Sequence, residues 1–232
     1  MTDYTTYVSQ LENMIAMDPA DGDFPTIIPA IINYAEMRIY RELDLISTIT
    51  RDTSVVMTAG NQNITLPNTF VVIQGINLLP AGAAPATASR TPLVSVSKEV
   101  VYALWGDPTA TGTPSMYAMV DQWTAIVGPS PSAAFGVESY GTIRPNPLSA
   151  TNPTTFLTTY LYDLFLAASM IFVSGWMRNF GAMSSDPQMS SSWEAQYQNL
   201  KASANIEELR KKSWSDAWTS FSPTPIAQPS RG

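Results

Sequence analysis

Cysteine and histidine are both missing from this 232-residue chain. Without thiols there is no disulfide framework, no cysteine-ligated zinc and no thiolate nucleophile. Without imidazole there is no Ser-His-Asp triad and no histidine base, which leaves carboxylates, lysine and tyrosine as the catalytic vocabulary. Charge is also scarce: Asp, Glu, Lys and Arg make up 13% of residues, about half the usual share. A surface built mainly from Ser, Thr, Asn and Gln suits a protein largely covered by other protein, and it also suits a neutral soluble domain. The net charge is −7, and the 12 basic residues are scattered. A general nucleic-acid binder needs a basic cluster to displace counterions, so that class is excluded. An acidic wall can still stand beside DNA and let it slide. The opening stretch MTDYTTYVSQLENM has no early Lys or Arg and does not read as a signal peptide.

What is present is enough apolar residue, 45%, to build a sizeable core. Asp3 can cap a first helix whose Tyr4, Tyr7, Val8, Leu11 and Ile15 share one face. A turn over Asp18–Pro25 leads to a second helix carrying Ile28, Ile31, Ile32, Ala35, Ile39 and Leu43 at helical spacing, with Arg38 and Glu42 as an i,i+4 pair. From about Thr50 the period changes from helical to alternating. Strand-like runs separated by turn clusters, plus one short helix over Lys98–Gly106, mark residues 50–150 as an inserted β-rich module. The Pro/Ala-rich segment Pro80–Pro92 reads as a mobile loop.

Asn152 and Pro153 then carry a cap-plus-proline signature for a third helix. Leu157, Leu161, Leu164, Ala168, Ile171 and Gly175 follow a 4,3,4,3,4 spacing, the seam of a helix bundle. Phe156–Met177 is long enough to span a bilayer. Asp163 lies inside it, however, and a central Asp costs roughly 2.5–3.5 kcal/mol on insertion. No membrane anchor is expected. Asp186 and Pro187 repeat the signature ahead of a last helix ending at Lys212, with Trp193, Tyr197, Leu200 and Ala204 as its seam and Glu207–Lys211 and Glu208–Lys212 as solvated pairs.

The expected fold class is α+β: a four-helix bundle from residues 1–49 and 151–212, the β-rich insertion, and an extended C-terminal tail over 213–232. That tail holds Trp214, Trp218, Phe221, Pro223, Pro225 and Ile226, too aromatic for an idle segment: it either binds a partner or folds back over its own bundle. No catalytic, cofactor-binding or metal-binding residue is assigned. Asp21/Asp23 and Glu207/Glu208 are carboxylate pairs on a turn and a solvated face, and only a convergent pair across a cleft would make a hydrolase. A cell-wall hydrolase using carboxylates is the enzymatic alternative.

The segments AEMRIYREL (Ala35–Leu43), LPNTF (Leu66–Phe70) and RPNPLSATNPTTFLTTYLYDLFLAASMIF (Arg144–Phe172) occur in an order that resembles the head–tail adaptor (connector) proteins of tailed bacteriophages, the tail tubular protein of short-tailed phages among them. Leu148, Ser149, Asn152, Pro153, Thr154, Asp163 and Leu164 match that pattern in order, while Ala150 stands where the family commonly has an acidic residue. The resemblance implies a structural protein of the virion neck, assembled in the host bacterial cytoplasm as a ring of twelve copies. Its partners are then other copies, the portal protein, and a tail nozzle or tail tube protein, with DNA passing through the lumen unbound. It also implies that the tail from Trp214 to Ile226 inserts between portal subunits, and that no cofactor is needed.

Overall fold

The computed structural model describes residues 2–15, 24–179 and 189–220. The architecture is α+β, with helices flanking a central β-rich region. Six helices are described: α1 (Tyr4–Ile15), α2 (Phe24–Glu42), α3 (Lys98–Trp105), α4 (Phe156–Tyr160), α5 (Tyr162–Asn179) and α6 (Met189–Ser220). Ten strands accompany them: β1 (Ile49–Asp52), β2 (Asn63–Thr65), β3 (Phe70–Leu79), β4 (Thr91–Pro92), β5 (Val94–Ser95), β6 (Thr111–Gly112), β7 (Met116–Met119), β8 (Thr124–Gly128), β9 (Ser130–Pro131) and β10 (Gly136–Ile143). The chain forms two compact units, Met1–Ser47 with Pro145–Gly232, and Thr48–Arg144.

In the helical unit α1 starts as its sequence dictates. The Thr6 amide donates to Asp3 Oδ1 at 2.8 Å, satisfying a first-turn N–H that the helix itself leaves free. Tyr7, Leu11 and Ile15 turn inward. In α2, Pro25 occupies the first turn, where its missing N–H costs nothing. Ile28, Ile31, Ile32, Ala35 and Ile39 of α2 join Leu157, Leu164, Phe165, Ala168 and Tyr197 in one buried cluster.

Three features of this unit differ from the sequence expectation. The third helix begins at Phe156, not Pro153, and its cap is Thr155: the Thr158 amide donates to Thr155 Oγ1 while the Thr155 amide donates to Thr158 Oγ1. Asn152 spends its side-chain N–H groups on the carbonyls of Asn146 and Pro147 instead. The helix is then interrupted at Leu161, whose ψ of 39° leaves the helical range, so five helices are described in this unit where four were expected. Hydrogen bonding crosses the break, since Leu161 N–H donates to Leu157 O and Phe165 N–H to Leu161 O. Finally, α6 continues to Ser220, so the tail expected to be extended from Ser213 is helical over its first eight residues. No proline or glycine lies between Ser213 and Phe221, and nothing stops helical propagation there. The Asp186–Pro187 start signal lies outside the described residues.

The β-rich unit contains two four-stranded sheets, ordered β1-β10-β3-β4 and β2-β8-β7-β5, and a small β6-β9 pair. Strict alternation builds its cores. In β7 and β8, Tyr117, Ala125 and Val127 join Ile76, Leu78 and Val137 of the other sheet, while Ala118 and Ile126 point oppositely to meet Val101 of α3. The β10–β3 ladder carries a register shift at Tyr140/Gly141. A Cβ at Gly141 would lie 2.2 Å from the Val72 carbonyl oxygen, so close backbone approach demands glycine there. Pro145–Ala150, read with the β module in the sequence, belong to the helical unit. Among the described residues no helix is long and apolar enough to cross a membrane.

Candidate functional site

The helical unit is organised around the turn that precedes α4. The Ser149 amide donates to Asn152 O at 3.0 Å and the Asn152 amide returns to Ser149 O at 3.1 Å, closing a tight loop. The loop is held from below by Glu36 of α2, whose Oε1 accepts the Leu148 amide at 3.0 Å. Glu36 is 3% exposed, and burial pushes its carboxyl up to about 7 against the weaker opposing effect of the Leu148 bond. On the adjoining side the Tyr4 amide donates to Pro153 O at 2.8 Å. Tyr7 stacks on Phe165 with ring centroids 4.6 Å apart, and its hydroxyl pairs with Ser169 Oγ at 2.6 Å. Burial keeps that phenol protonated.

Between α2 and α6 lies a charged clamp. Arg38 bonds both oxygens of Glu194, contacts Glu42 through Nε at 3.1 Å, and stacks over the Tyr197 ring at 4.2 Å. The Glu194 hydrogen bond is the main reason the guanidinium is held more firmly protonated, and it draws Glu194 below the ordinary carboxylate range. Burial pushes Glu42 up, but hydrogen bonds from Lys201 and Arg38 outweigh it and leave its pKa lowered. Beside the clamp an open groove of about 560 Å³ is lined by Ala30, Tyr34, Met37, Arg41 and Phe172, with the Tyr34 and Phe172 rings 5.0 Å apart.

Farther along α6 the expected solvated pairs are only half realised. Glu207 meets Lys211 at 2.8 Å on the surface. Glu208, in contrast, is 3% exposed, accepting the Ile46 amide at 3.0 Å and Lys211 Nζ at 2.7 Å. Lys212 reaches Asp44. A shallow hollow lies beside this contact, lined by Phe156, Tyr160 and Lys211, with Tyr160 largely exposed.

The β-rich unit has its own buried carboxylate. Glu138 of β10 receives Arg51 of β1 on one oxygen and Arg90 on the other. Arg90 also donates to the carbonyls of Ala88 and Pro85, which ties down the segment read as a mobile loop. On another surface Val94, Tyr102 and Leu104 are exposed.

The seam residues Leu157, Leu161, Leu164, Ala168 and Tyr197 are buried, and Ile171, Trp193 and Leu200 pack partly buried against them. Gly175, expected on the same seam, is exposed, with open space where a side chain would go. Trp214 and Trp218 lie in α6, whereas Phe221, Pro223, Pro225 and Ile226 lie outside the described residues, as do Asp21 and Asp23. Sequence reading missed Glu36, Glu138 and Glu208 as anchors, because a lone glutamate gives no sign that it is buried.

Among the described residues no group of three or more His, Cys, Asp or Glu could hold a metal. Glu36, the carboxyl whose pKa burial raises, is an interior anchor bonded to a backbone amide. What the described residues supply is anchored turns, ion-clamped helices and exposed apolar side chains. The chain matches the SU10 adaptor protein family over residues 3–226 and belongs to that family. It is accordingly a structural head-to-tail adaptor of a bacteriophage virion and not an enzyme. No curated protein matches it.

Proposed function

We propose that this adaptor acts as a closed ring of twelve copies in the virion neck, between the portal protein and a tail nozzle or tail tube protein. The family match across nearly the whole chain carries this reading. In it α1, α2, the interrupted α4–α5 pair and α6 serve as the four rods of a bundle, which packs against its neighbours around the ring in a head-to-tail contact that closes. The β-rich unit faces the tail component. Assembly takes place in the host bacterial cytoplasm. DNA passes through the lumen without specific contacts, in keeping with the net charge of −7.

The C-terminal region, Trp214, Trp218, Phe221, Pro223, Pro225 and Ile226, inserts between portal subunits. Each aromatic buried there contributes on the order of 1.5–3 kcal/mol, and repetition around the ring multiplies the effect through avidity. Light scattering of the purified protein, alone and with a portal ring, tests the assembly: the mass increment should correspond to many copies per portal. A chain that ignores the portal sinks the reading. Removal of residues 221–232, leaving α6 entire, should abolish portal binding without unfolding the protein, and undiminished binding would argue against the tail's role.

A further inference from the structure

The chain passes between its two units twice, at Ser47/Thr48 and at Arg144/Pro145. On the helical side a buried glutamate reaches a backbone amide beside each passage. Glu208 of α6 takes the Ile46 amide just before the first passage, and Glu36 of α2 takes the Leu148 amide just after the second, each at 3.0 Å. Both glutamates are 3% exposed. A carboxyl that deep is costly unless it satisfies a polar partner, and here the partner is in each case the connecting backbone.

The two anchors differ in what surrounds them. Glu208 faces a cation, Lys211 Nζ at 2.7 Å, which it shares with the more exposed Glu207. The titratable groups around Glu36 are phenols: Tyr40 on its own helix and Tyr7 on α1. Tyr162 of α5, edge-on to Tyr7 at 5.9 Å, adds another. Among the described residues Glu36 forms no ion pair, and its hydrogen-bond partner is the Leu148 amide. Tyr40 and Tyr162 leave their buried hydroxyls without a partner among the described residues, so neither relieves a charge on Glu36.

We propose that Glu36 and Glu208 are a pair of unequal anchors for the two connections, one cation-paired and permanent, the other proton-operated and releasable. With Glu36 neutral, the carbonyl oxygen of its carboxyl accepts the Leu148 amide and the turn over 145–155 stays seated. When Glu36 ionises, a charge met by one amide and, of the described residues, by no cation lies among apolar side chains and phenols. Hydration relieves it, and water reaches the carboxylate only if the Leu148 segment lifts. The first connection has no such dependence, because Lys211 accompanies Glu208.

Residue-resolved amide hydrogen exchange on the full chain tests this between pH 5.5 and 8.5, with protection corrected for intrinsic rates. Protection at Leu148 should fall about tenfold or more as pH rises through neutrality, while that at Ile46 stays level. In Glu36→Gln, where the side chain keeps an acceptor but cannot ionise, Leu148 protection should stay level as well. Level Leu148 protection in the unmodified protein overturns the proposal, and so does an equal fall at Ile46 or an equal fall in Glu36→Gln. The comparison of the two amides within the unmodified chain decides the matter even if the variant does not fold.

Discussion

Arg38 grips Glu194 with both arms of its guanidinium, Nη1 to Oε2 at 2.8 Å and Nη2 to Oε1 at 2.6 Å, across 156 positions of sequence. This fork fastens α2 to α6, and the Tyr197 ring beneath Arg38 shields it from solvent on one face. A lysine retains the charge but cannot make two parallel bonds. Arg38→Lys should therefore cost about 1–2 kcal/mol, and Arg38→Ala somewhat more, in urea unfolding monitored by circular dichroism. Equal stability of Arg38→Lys and the unmodified chain would show that the fork adds nothing beyond its charge.

Glu36 sets a pH dependence of stability whose sign is fixed by its raised pKa. Its ordinary value is 4.5 and its folded value about 7. Below 4.5 the carboxyl is neutral in both states and its burial is unpenalised. As pH rises from there through 7, the unfolded chain releases the proton more readily, and stability falls by an amount on the order of a few kcal/mol. Glu36→Gln should remove this component, so the difference in Tm between the two proteins should grow across that window. A constant difference from pH 4.5 to pH 7.5 contradicts the assignment.

Glu138 holds Arg51 and Arg90 at once, and Arg90 in turn holds the segment between Pro80 and Pro92. Glu138→Ala removes the carboxylate that both guanidinium groups share and should cost about 1–3 kcal/mol. Limited digestion with trypsin provides a local readout. Cleavage after Arg90 should quicken relative to cleavage after other basic residues, and an unchanged digestion order means the segment is held by something else.

Two glycines should respond oppositely to alanine. Gly141→Ala pushes a methyl group into the Val72 carbonyl, an atom that cannot move without disturbing the ladder. A loss of about 1–3 kcal/mol is expected. Gly175→Ala adds a methyl group into open space within α5, and should gain about 0.5–1 kcal/mol from helix propensity. Thermal unfolding of the two variants checks both signs, and a shared sign defeats this reading of the backbone.

Local patterns made several elements legible in the sequence. The inward stripe of α2 from Ile28 to Ile39 repeats at helical spacing, and Lys98–Trp105 is bounded by Ser97 and Gly106. The Asp3 cap follows from one residue placed three before Thr6. What stayed hidden depends on distance along the chain or on competition between neighbours. The break at Leu161 has no proline or glycine to announce it. Asn152 and Thr155 are both capping residue types, and the asparagine side chain turns back to donate to the carbonyls of Asn146 and Pro147, which spacing does not reveal. Arg90 could be seen as a basic residue in a small-residue segment, but its partner lies 48 positions away on another strand. The same holds for Glu36 and Leu148, each inside a recognisable motif, whose meeting no spacing rule foretells.

The division of the chain has a consequence for its synthesis. The β-rich unit is one uninterrupted run, Thr48–Arg144, whereas the helical unit draws on both sides of it. Tyr7 finds its partners at Phe165 and Ser169, about 160 positions later. As the chain leaves the ribosome, α1 and α2 emerge first with their apolar faces uncovered, and the strands complete their own core before α5 exists. For that interval Ile31, Ile32 and Ile39 have, of the helices that will cover them, only α1 of their own chain. Slow translation through residues 145–179 therefore prolongs the exposure of that face.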